Sequence, residues 1–377
     1  MALAPHHEQI RDAVRRFARE RLAPNAARWD RDKHFPREEL AGLAALGLSG
    51  VAIPEEWGGA GMDGTALAIA IEEIAAGDGA TSTIVQVNNL AAGIVFGYGD
   101  AAQKEAFLKP LARGEMLGAF ALTEPHAGSD ASAITTRAEK SGSGYVLNGV
   151  KQFITSGKNA DIAIVFAVTD KNQKKRGISA FIVPTSTPGY VVARIEDKAG
   201  QRASDTAQVV LEDCKVPAGQ RLAEEGLGYR IALANLESGR INVAAQATGM
   251  ARSAFEAALA YAGERKSMGK TLREHQAVSF RLADMATRLE AARQLYLHAA
   301  QLRDAGVPCL KEASMAKLFA SEIAEKVCSD AIQIHGGYGY VADFPVERIW
   351  RDVRVCQIYE GASDIQRLVI GRALESG

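Results

Sequence analysis

Gly59-Ala60-Gly61-Met62-Asp63-Gly64, written GAGMDG, decides the fold class of this 377-residue chain. The six residues satisfy G-x-G-x-x-G, and Asp78 follows at about the distance of a ribose-binding acid, which invites a doubly wound dinucleotide fold. That motif works only where the glycines close a strand directly onto a helix whose N-terminus faces a pyrophosphate. Here Pro54-Glu55-Glu56-Trp57 separates the glycines from the preceding apolar run, and no second strand follows the helix. The stretch is therefore expected to be a glycine-rich loop between helices.

Outward from that loop the periodicity divides the chain into three. Before about Leu117, apolar residues recur at helical spacing in Ile10 to Leu22, Leu40 to Leu48 and Ala66 to Ala76. Between Leu117 and about Gly226 the pattern changes to alternation and short β-branched runs, among them Ile162 to Phe166, Ile178 to Val183 and Ala207 to Leu211, with Gly, Asn, Asp and Pro between them. From Gly226 on, long Ala-rich helical patterns return, near 229–266, 272–305, 309–334, 345–355 and 363–374. Strands and helices do not alternate, so the expectation is an α+β multidomain protein. It has an N-terminal helical domain (1–117), a central antiparallel β-barrel or sandwich (118–226) and a C-terminal four-helix bundle (227–377).

Composition excludes several functions. Forty-four basic against forty-five acidic residues leave a net charge of -1, which gives no general attraction for nucleic acid or anionic lipid. The early run Arg11, Arg15, Arg16, Arg19 and Arg21 alternates with apolar residues and is expected to be a solvated helix face. Cys214, Cys309, Cys328 and Cys356 are far apart, with no C-x-x-C and no paired histidines at ligand spacing, so neither a metal site nor a disulfide framework is indicated. No apolar run is long enough to span a membrane, and the first residues carry no signal core. A cytoplasmic bacterial chain, or a mature mitochondrial-type one, is expected. G-x-x-x-x-G-K, H-E-x-x-H and G-x-S-x-G are all absent, which removes the main support for phosphoryl transfer, zinc hydrolysis and the hydrolase elbow.

Five stretches remain. Phe120-Ala121-Leu122-Thr123-Glu124-Pro125-His126-Ala127-Gly128-Ser129-Asp130 leaves a strand through a turn suited to meeting a flat polar ligand. Lys151 to Gly157 closes a second strand, with the aromatic Phe153 and the hydroxyl of Thr155 near its end. Arg265 to Lys270, followed by His275 and Gln276, puts cations and a glycine between two helices. Gln333-Ile334-His335-Gly336-Gly337 strips side chains from a helix end, so that another group can approach the backbone. Finally, Gln357-Ile358-Tyr359-Glu360-Gly361-Ala362-Ser363-Asp364-Ile365-Gln366 sets one carboxylate directly before a glycine. Ser363 and Gln366 have capping-box spacing, so a helix is expected to start at Asp364 and carry Leu368, Val369 and Ile370 inward. Each stretch also has an ordinary explanation as a turn, a helix cap or a solvated loop.

Together, in this order, LTEPHAGSD, ERKSMGKTLREHQ and IYEGASDIQRLVIGR resemble the acyl-CoA dehydrogenase family over nearly the whole chain. The resemblance implies FAD lying between the β domain and the C-terminal bundle, with a fatty acyl-CoA thioester against it. Phe120, Leu122, Thr123, Gly128 and Ser129 would follow the flavin, Ser129 also meeting the substrate, with Phe153, Ile154 and Thr155 as the second flavin contact. Arg265, Gln276, Gln333, Ile334, Gly336 and Gly337 would hold the nucleotide of a neighbouring subunit, implying a homotetramer built as a dimer of dimers. Ala362, Ser363 and Asp364 would also touch FAD. Ala362 stands where the family usually has Thr, Phe153 replaces the commoner Trp, and Met268 sits where an aromatic is usual.

The resemblance also explains the carboxylate. Making a trans double bond beside a thioester requires removal of a weakly acidic α-proton while the β-hydrogen leaves as hydride to the flavin. A carboxylate serves as that base when it is desolvated and aligned. Glu360 is the expected base. Gly361 lets the backbone close on the substrate, and Glu237 and Arg240 line the thioester and pantetheine end, because the residue before Arg240 is Gly239 and not the acid that other members place there. The implied activity is α,β-dehydrogenation of a short or branched short-chain acyl-CoA to trans-2-enoyl-CoA, as in fatty acid β-oxidation, with electron-transfer flavoprotein as the acceptor. The alternatives are an acyl-CoA oxidase on the same fold and a non-catalytic nucleic-acid-binding relative.

Overall fold

In the computed structural model, which describes residues 3–376, the GAGMDG loop does join helices. The N-terminal region contains α1 (Pro5–Phe17), α2 (Ala23–Asp32), α3 (Arg37–Ala45), α4 (Gly64–Gly77), α5 (Gly79–Tyr98) and the short α6 (Ala101–Gln103) and α7 (Lys109–Arg113). The two acids of the apparent fingerprint are helix caps. Asp63 accepts from the Ala66 amide at 2.8 Å to start α4, and Asp78 accepts from the Thr81 amide at 2.7 Å to start α5. Gly59 is required by packing, since a Cβ there would lie 2.1 Å from the Ile53 carbonyl oxygen.

The middle region is one eight-stranded sheet of β1 (Gly118–Ala121), β2 (Arg137–Ser141), β3 (Gly144–Thr155), β4 (Ile162–Val168), β5 (Ile178–Pro184), β6 (Tyr190–Ile195), β7 (Thr206–Pro217) and β8 (Arg221–Leu222), ordered β6-β7-β3-β2-β4-β5-β8 with β1 on β4. Most pairs are antiparallel, while β1 and the start of β2 meet β4 in parallel. Alternation along β4 feeds two cores: Ile162, Ile164 and Phe166 face one layer, and Ala163, Val165 and Ala167 the other. The β2 stretch, RAEKS, was not anticipated, because only Ala138 of its five residues is buried and its charges hide the strand period.

The C-terminal region has α8 (Gly228–Glu264), α9 (Gln276–Asp304), α10 (Leu310–His335), α11 (Pro345–Val353) and α12 (Ser363–Ser376), with a small hairpin of β9 (Lys266–Ser267) and β10 (Lys270–Thr271) between α8 and α9. It shares a continuous apolar core with the N-terminal helices. Helix α4 is buried on nearly every side, yet it carries two acids, Glu72 and Glu73. Arg252 reaches both, at 3.1 and 2.6 Å, Arg293 binds Glu72, and the Tyr296 hydroxyl donates to Glu72. Burial pushes the Glu72 carboxyl up, but the Arg293 and Arg252 guanidinium groups more than offset it and hold it below the usual range. Arg15 also leaves the expected solvated face of α1 and donates to Glu73 at 2.7 Å.

Three further details differ from expectation. The capping box at Ser363 does not form, since its hydroxyl is buried without a partner and the Gln366 side chain bonds elsewhere. Leu368 is exposed instead of inward, because nothing among the described residues covers that face of α12. His6, His7 and Asp63, passed over by the spacing argument, bring ligand-type atoms within 4.8 Å of one another. The carboxylate there is already engaged as the α4 cap and by His7 at 2.9 Å. Among the described residues no helix is long and apolar enough to cross a membrane.

Candidate active site

After α11 and one tight helical turn, the chain reverses at Glu360 (φ 54°) and Gly361 (φ 88°) before entering α12. A left-handed conformation costs a non-glycine residue about 1–2 kcal/mol, so the corner persists only because its surroundings hold it. The Gly361 carbonyl accepts from Lys317 Nζ and from Gln366 Nε2, each at 2.7 Å, and Gln366 also donates to the Glu360 carbonyl at 3.2 Å. On the N-terminal side the Tyr359 hydroxyl donates to Gln246 Oε1, whose amide nitrogen in turn reaches Thr83 Oγ1 at 2.6 Å. Side chains from α5, α8, α10 and α12 thus fix one short reverse turn.

The carboxylate points away from those contacts. Although the corner keeps some surface, Glu360 Oε2 is sealed from solvent and has no hydrogen-bond partner. It rests against Gly239 of α8, where a Cβ would stand 2.5 Å from Oε2, so glycine at 239 makes the room the acid occupies. Burial pushes the Glu360 carboxyl up to about 7, against the attraction of Lys317 and Arg240. Arg240 is itself buried, donating to Ser314 Oγ at 3.3 Å with its Nε unpartnered. Burial lowers its pKa against the pull of Glu360 and Glu237. Glu237 lies a turn earlier, bonded to Arg303 at 3.3 Å and approached by the Cys309 thiol at 3.5 Å. A carboxylate on a fixed corner that ionises near neutrality, with one oxygen sealed and unpartnered, is equipped to take a proton from carbon.

A second face is built where two expected stretches meet. The Gln152 amide donates to the Thr123 carbonyl at 2.8 Å, laying the loop after β1 beside the end of β3. Below it, the fully buried Lys151 bonds Glu124 at 2.8 Å and the Leu122 carbonyl at 3.1 Å. Glu124 also accepts from the Thr135 and Thr136 amides, which closes the loop onto the start of β2. The β3–β7 register slips between Lys151 and Ile154, and in that bulge Phe153 takes φ 58° and throws its ring outward, 63% exposed. Ile154 points the other way into the core. Phe120 turns its ring onto Phe166 and remains partly exposed. The Thr123 and Thr155 hydroxyls have no partner among the described residues, and Gly128 and Ser129 form an open rim. An aromatic platform with free hydroxyls around it fits a flat ring with polar edges, as the isoalloxazine of FAD requires.

A third place is the end of α10. Arg265, Ser267, Ile334, Gly336 and Gly337 line one open groove of about 620 Å³ together with Tyr261. Gly336 has φ 62°, and no neighbour would meet a Cβ on it or on Gly337, so the backbone there is bare. Arg265 stacks over Tyr338 at 5.7 Å. Gln276 and Gln333 are exposed nearby in sequence but do not line the groove, and Asp364 is bonded to Arg367 on the first turn of α12. Sequence reasoning missed Lys317 and Gln246, and it marked Lys151 only as the start of a stretch, without its role. Lys317 was findable, as a lysine set in the buried stripe Ala313, Ala316, Ala320 and Ala324.

Three family signatures match the chain: "Acyl-CoA dehydrogenase, N-terminal domain" over residues 4–115, "middle domain" over 119–214 and "C-terminal domain" over 226–375. An acyl-CoA dehydrogenase of Bacillus subtilis is 46% identical across 100% of both chains. The human mitochondrial short-chain specific acyl-CoA dehydrogenase is 46% identical over 98% of this chain and 90% of that one. Butyryl-CoA dehydrogenase from Megasphaera elsdenii superposes with a TM-score of 0.97 at 42% identity, covering 100% of this chain and 99% of that one. A chain solved in work on the electron transferring flavoprotein of Acidaminococcus fermentans gives 0.98 at 44%, covering 99% of each.

Proposed function

The chain belongs to the acyl-CoA dehydrogenase family of FAD-dependent oxidoreductases, and from that premise we propose that it converts a saturated short-chain acyl-CoA to its trans-2-enoyl-CoA with Glu360 as the base. FAD, when bound, supplies the acceptor for the β-hydride. Everything else in the reaction falls to residues of this chain. Glu360 takes the α-proton, and its dry surroundings keep water from levelling its basicity. The amide of Glu360 grips the thioester oxygen, which acidifies the α-carbon. Gly361 lets that backbone approach, while Glu237, Arg240 and Ser129 receive the thioester and pantetheine. Thr123, Phe153 and Thr155 hold and orient the flavin ring, with Leu122, Gly128 and the backbone of Ile154 shaping its bed. Arg265, Gln276, Gln333, Ile334, Gly336 and Gly337 serve the nucleotide, with Ala362, Ser363 and Asp364 at the turn into α12.

The observation that carries this reading is the sealed, unpartnered Glu360 Oε2. The test is Glu360→Gln in FAD-loaded protein, which should stay yellow and bind acyl-CoA yet lose about 10²–10⁴-fold or more in the anaerobic flavin-bleaching rate. Ordinary turnover would reject the assignment. A panel of saturated acyl-CoAs from C4 to C16 tests chain length, and the short-chain relatives support a maximum at its short end.

We assign the electrons to an electron-transfer flavoprotein, a reading supported by the likeness to the Acidaminococcus chain. Hydrogen peroxide release during turnover would instead favour an oxidase. Exposed Met268, Phe280 and Tyr340 on and around α9 and α10 support burial between subunits of a homotetramer, which light scattering of the purified protein tests.

A further inference from the structure

Lys317 is completely buried in the apolar stripe of α10, and its Nζ has one hydrogen-bond partner among the described residues, the Gly361 carbonyl at 2.7 Å. An ammonium removed from water costs several kcal/mol, more than one neutral acceptor returns, so a second source of stabilisation has to face it. The groups around it come from four elements: Glu360 from the corner, Arg240 from α8, Cys356 from the turn before the corner, and Glu322 from its own helix. Glu322 is paired with Arg367 at 2.6 Å, and burial keeps the Cys356 thiol protonated, up to about 12. Arg240 is a like charge. Glu360 is therefore the anion left to balance Lys317.

Resting on the assignment of Glu360 as base, we propose that Lys317 is its positioning residue: the buried ammonium pins the Glu360–Gly361 corner through the Gly361 carbonyl and supplies positive charge that offsets part of the cost of ionising the buried carboxyl. Of the two cations that act on Glu360, Lys317 has the larger effect and Arg240 the smaller. Burial in turn lowers Lys317 itself to about 8, so acid and amine titrate as a coupled pair.

The test uses FAD-loaded full-length protein. An infrared pH titration follows the Glu360 carboxyl band, identified by its loss in Glu360→Gln, beside the pH profile of flavin bleaching. Lys317→Met removes both charge and donor, Lys317→Gln keeps a donor, and Lys317→Arg keeps the charge. Met and Gln should move the carboxyl midpoint and the acid limb of the rate upward by about one pH unit or more, while Arg leaves them in place. Arg should also abolish the upper step of the pair, because a guanidinium keeps its proton throughout.

A packing role alone would lower the rate without moving the limb, and that result overturns the proposal. An unmoved midpoint in Met or Gln does so equally. Should the neutral variants fail to fold, a persistent upper step in Lys317→Arg has the same force. Normal turnover by Glu360→Gln would remove the base assignment instead, while the infrared midpoints still report whether Lys317 acts on the carboxylate.

Discussion

Glu360→Gln should make the protein less active and, above mildly acid pH, more stable. In the folded chain the carboxyl titrates at about 7 against an ordinary 4.5, the cause being burial. Between those values the unfolded chain has released a proton that the folded chain retains, so folding stability falls as pH rises across the interval. At 1.36 kcal/mol per pH unit the loss reaches about 3 kcal/mol by pH 7 and then levels off. Glutamine carries no such slope. Asp352, also lifted to about 7 by burial, is present in both proteins and cancels in the comparison. Lys317 is half titrated at about 8, which sets the upper end of the useful window below that pH. Thermal unfolding of the two proteins, saturated with FAD, should therefore differ little near pH 5, with the variant gaining on the order of 5 °C by pH 7.5. The rate of flavin bleaching in the unmodified protein should rise over the same range, since a base at about 7 is roughly one-tenth ionised at pH 6 and nine-tenths at pH 8. A difference in unfolding temperature that stays constant from pH 5 to 7.5 would refute the claim that the acid is desolvated.

Gly239→Ala places a methyl 2.5 Å from Glu360 Oε2, so the carboxylate must move, and the bleaching rate should fall about 10²-fold with FAD retained. A rate within a factor of two of the unmodified protein would show the acid has slack. Lys151→Met strands Glu124 in a dry loop and should cost about 3–5 kcal/mol, read as a lower unfolding temperature. No change in that temperature would mean the loop is not held by the pair. Phe153→Ala should weaken FAD retention on dilution at least several-fold while leaving the unfolding temperature of FAD-free protein unchanged, since the ring is 63% exposed. Loss of stability without loss of FAD would reverse its assigned role.

How far the sequence was readable depended on whether side chains or their absence carried the information. The three-part layout follows from apolar periodicity, and the Pro54 to Trp57 interruption with the lack of a following strand disqualified the GAGMDG fingerprint, whose acids prove to be caps. Charged β2 escaped because its pairing is made by backbone groups. The capping box was misjudged for a related reason: the left-handed turn at Glu360 presents two carbonyls to Gln366, and these outcompete the amide that its spacing suggested. Leu368 fails as an inward residue because nothing among the described residues covers it, and apolar spacing along a helix does not say which of its faces finds a cover.

The base illustrates the same limit from the chemical side. Nothing about a glutamate in sequence announces a positive φ or an empty oxygen. Both follow from neighbours far along the chain, namely Gly239, which contributes only space, and Lys317, which looks like one more surface cation until its stripe is drawn. Of the nine non-glycine residues with positive φ among the described residues, Phe153, Ser156, Met268 and Glu360 lie in the stretches that chemistry had marked. Strained backbone is retained where surroundings over-determine it. The strain at Phe153 aims a ring out of a sheet, and the strain at Glu360 aims a carboxylate at a glycine, so in both places backbone conformation presents a side chain that helix or strand geometry would have turned elsewhere.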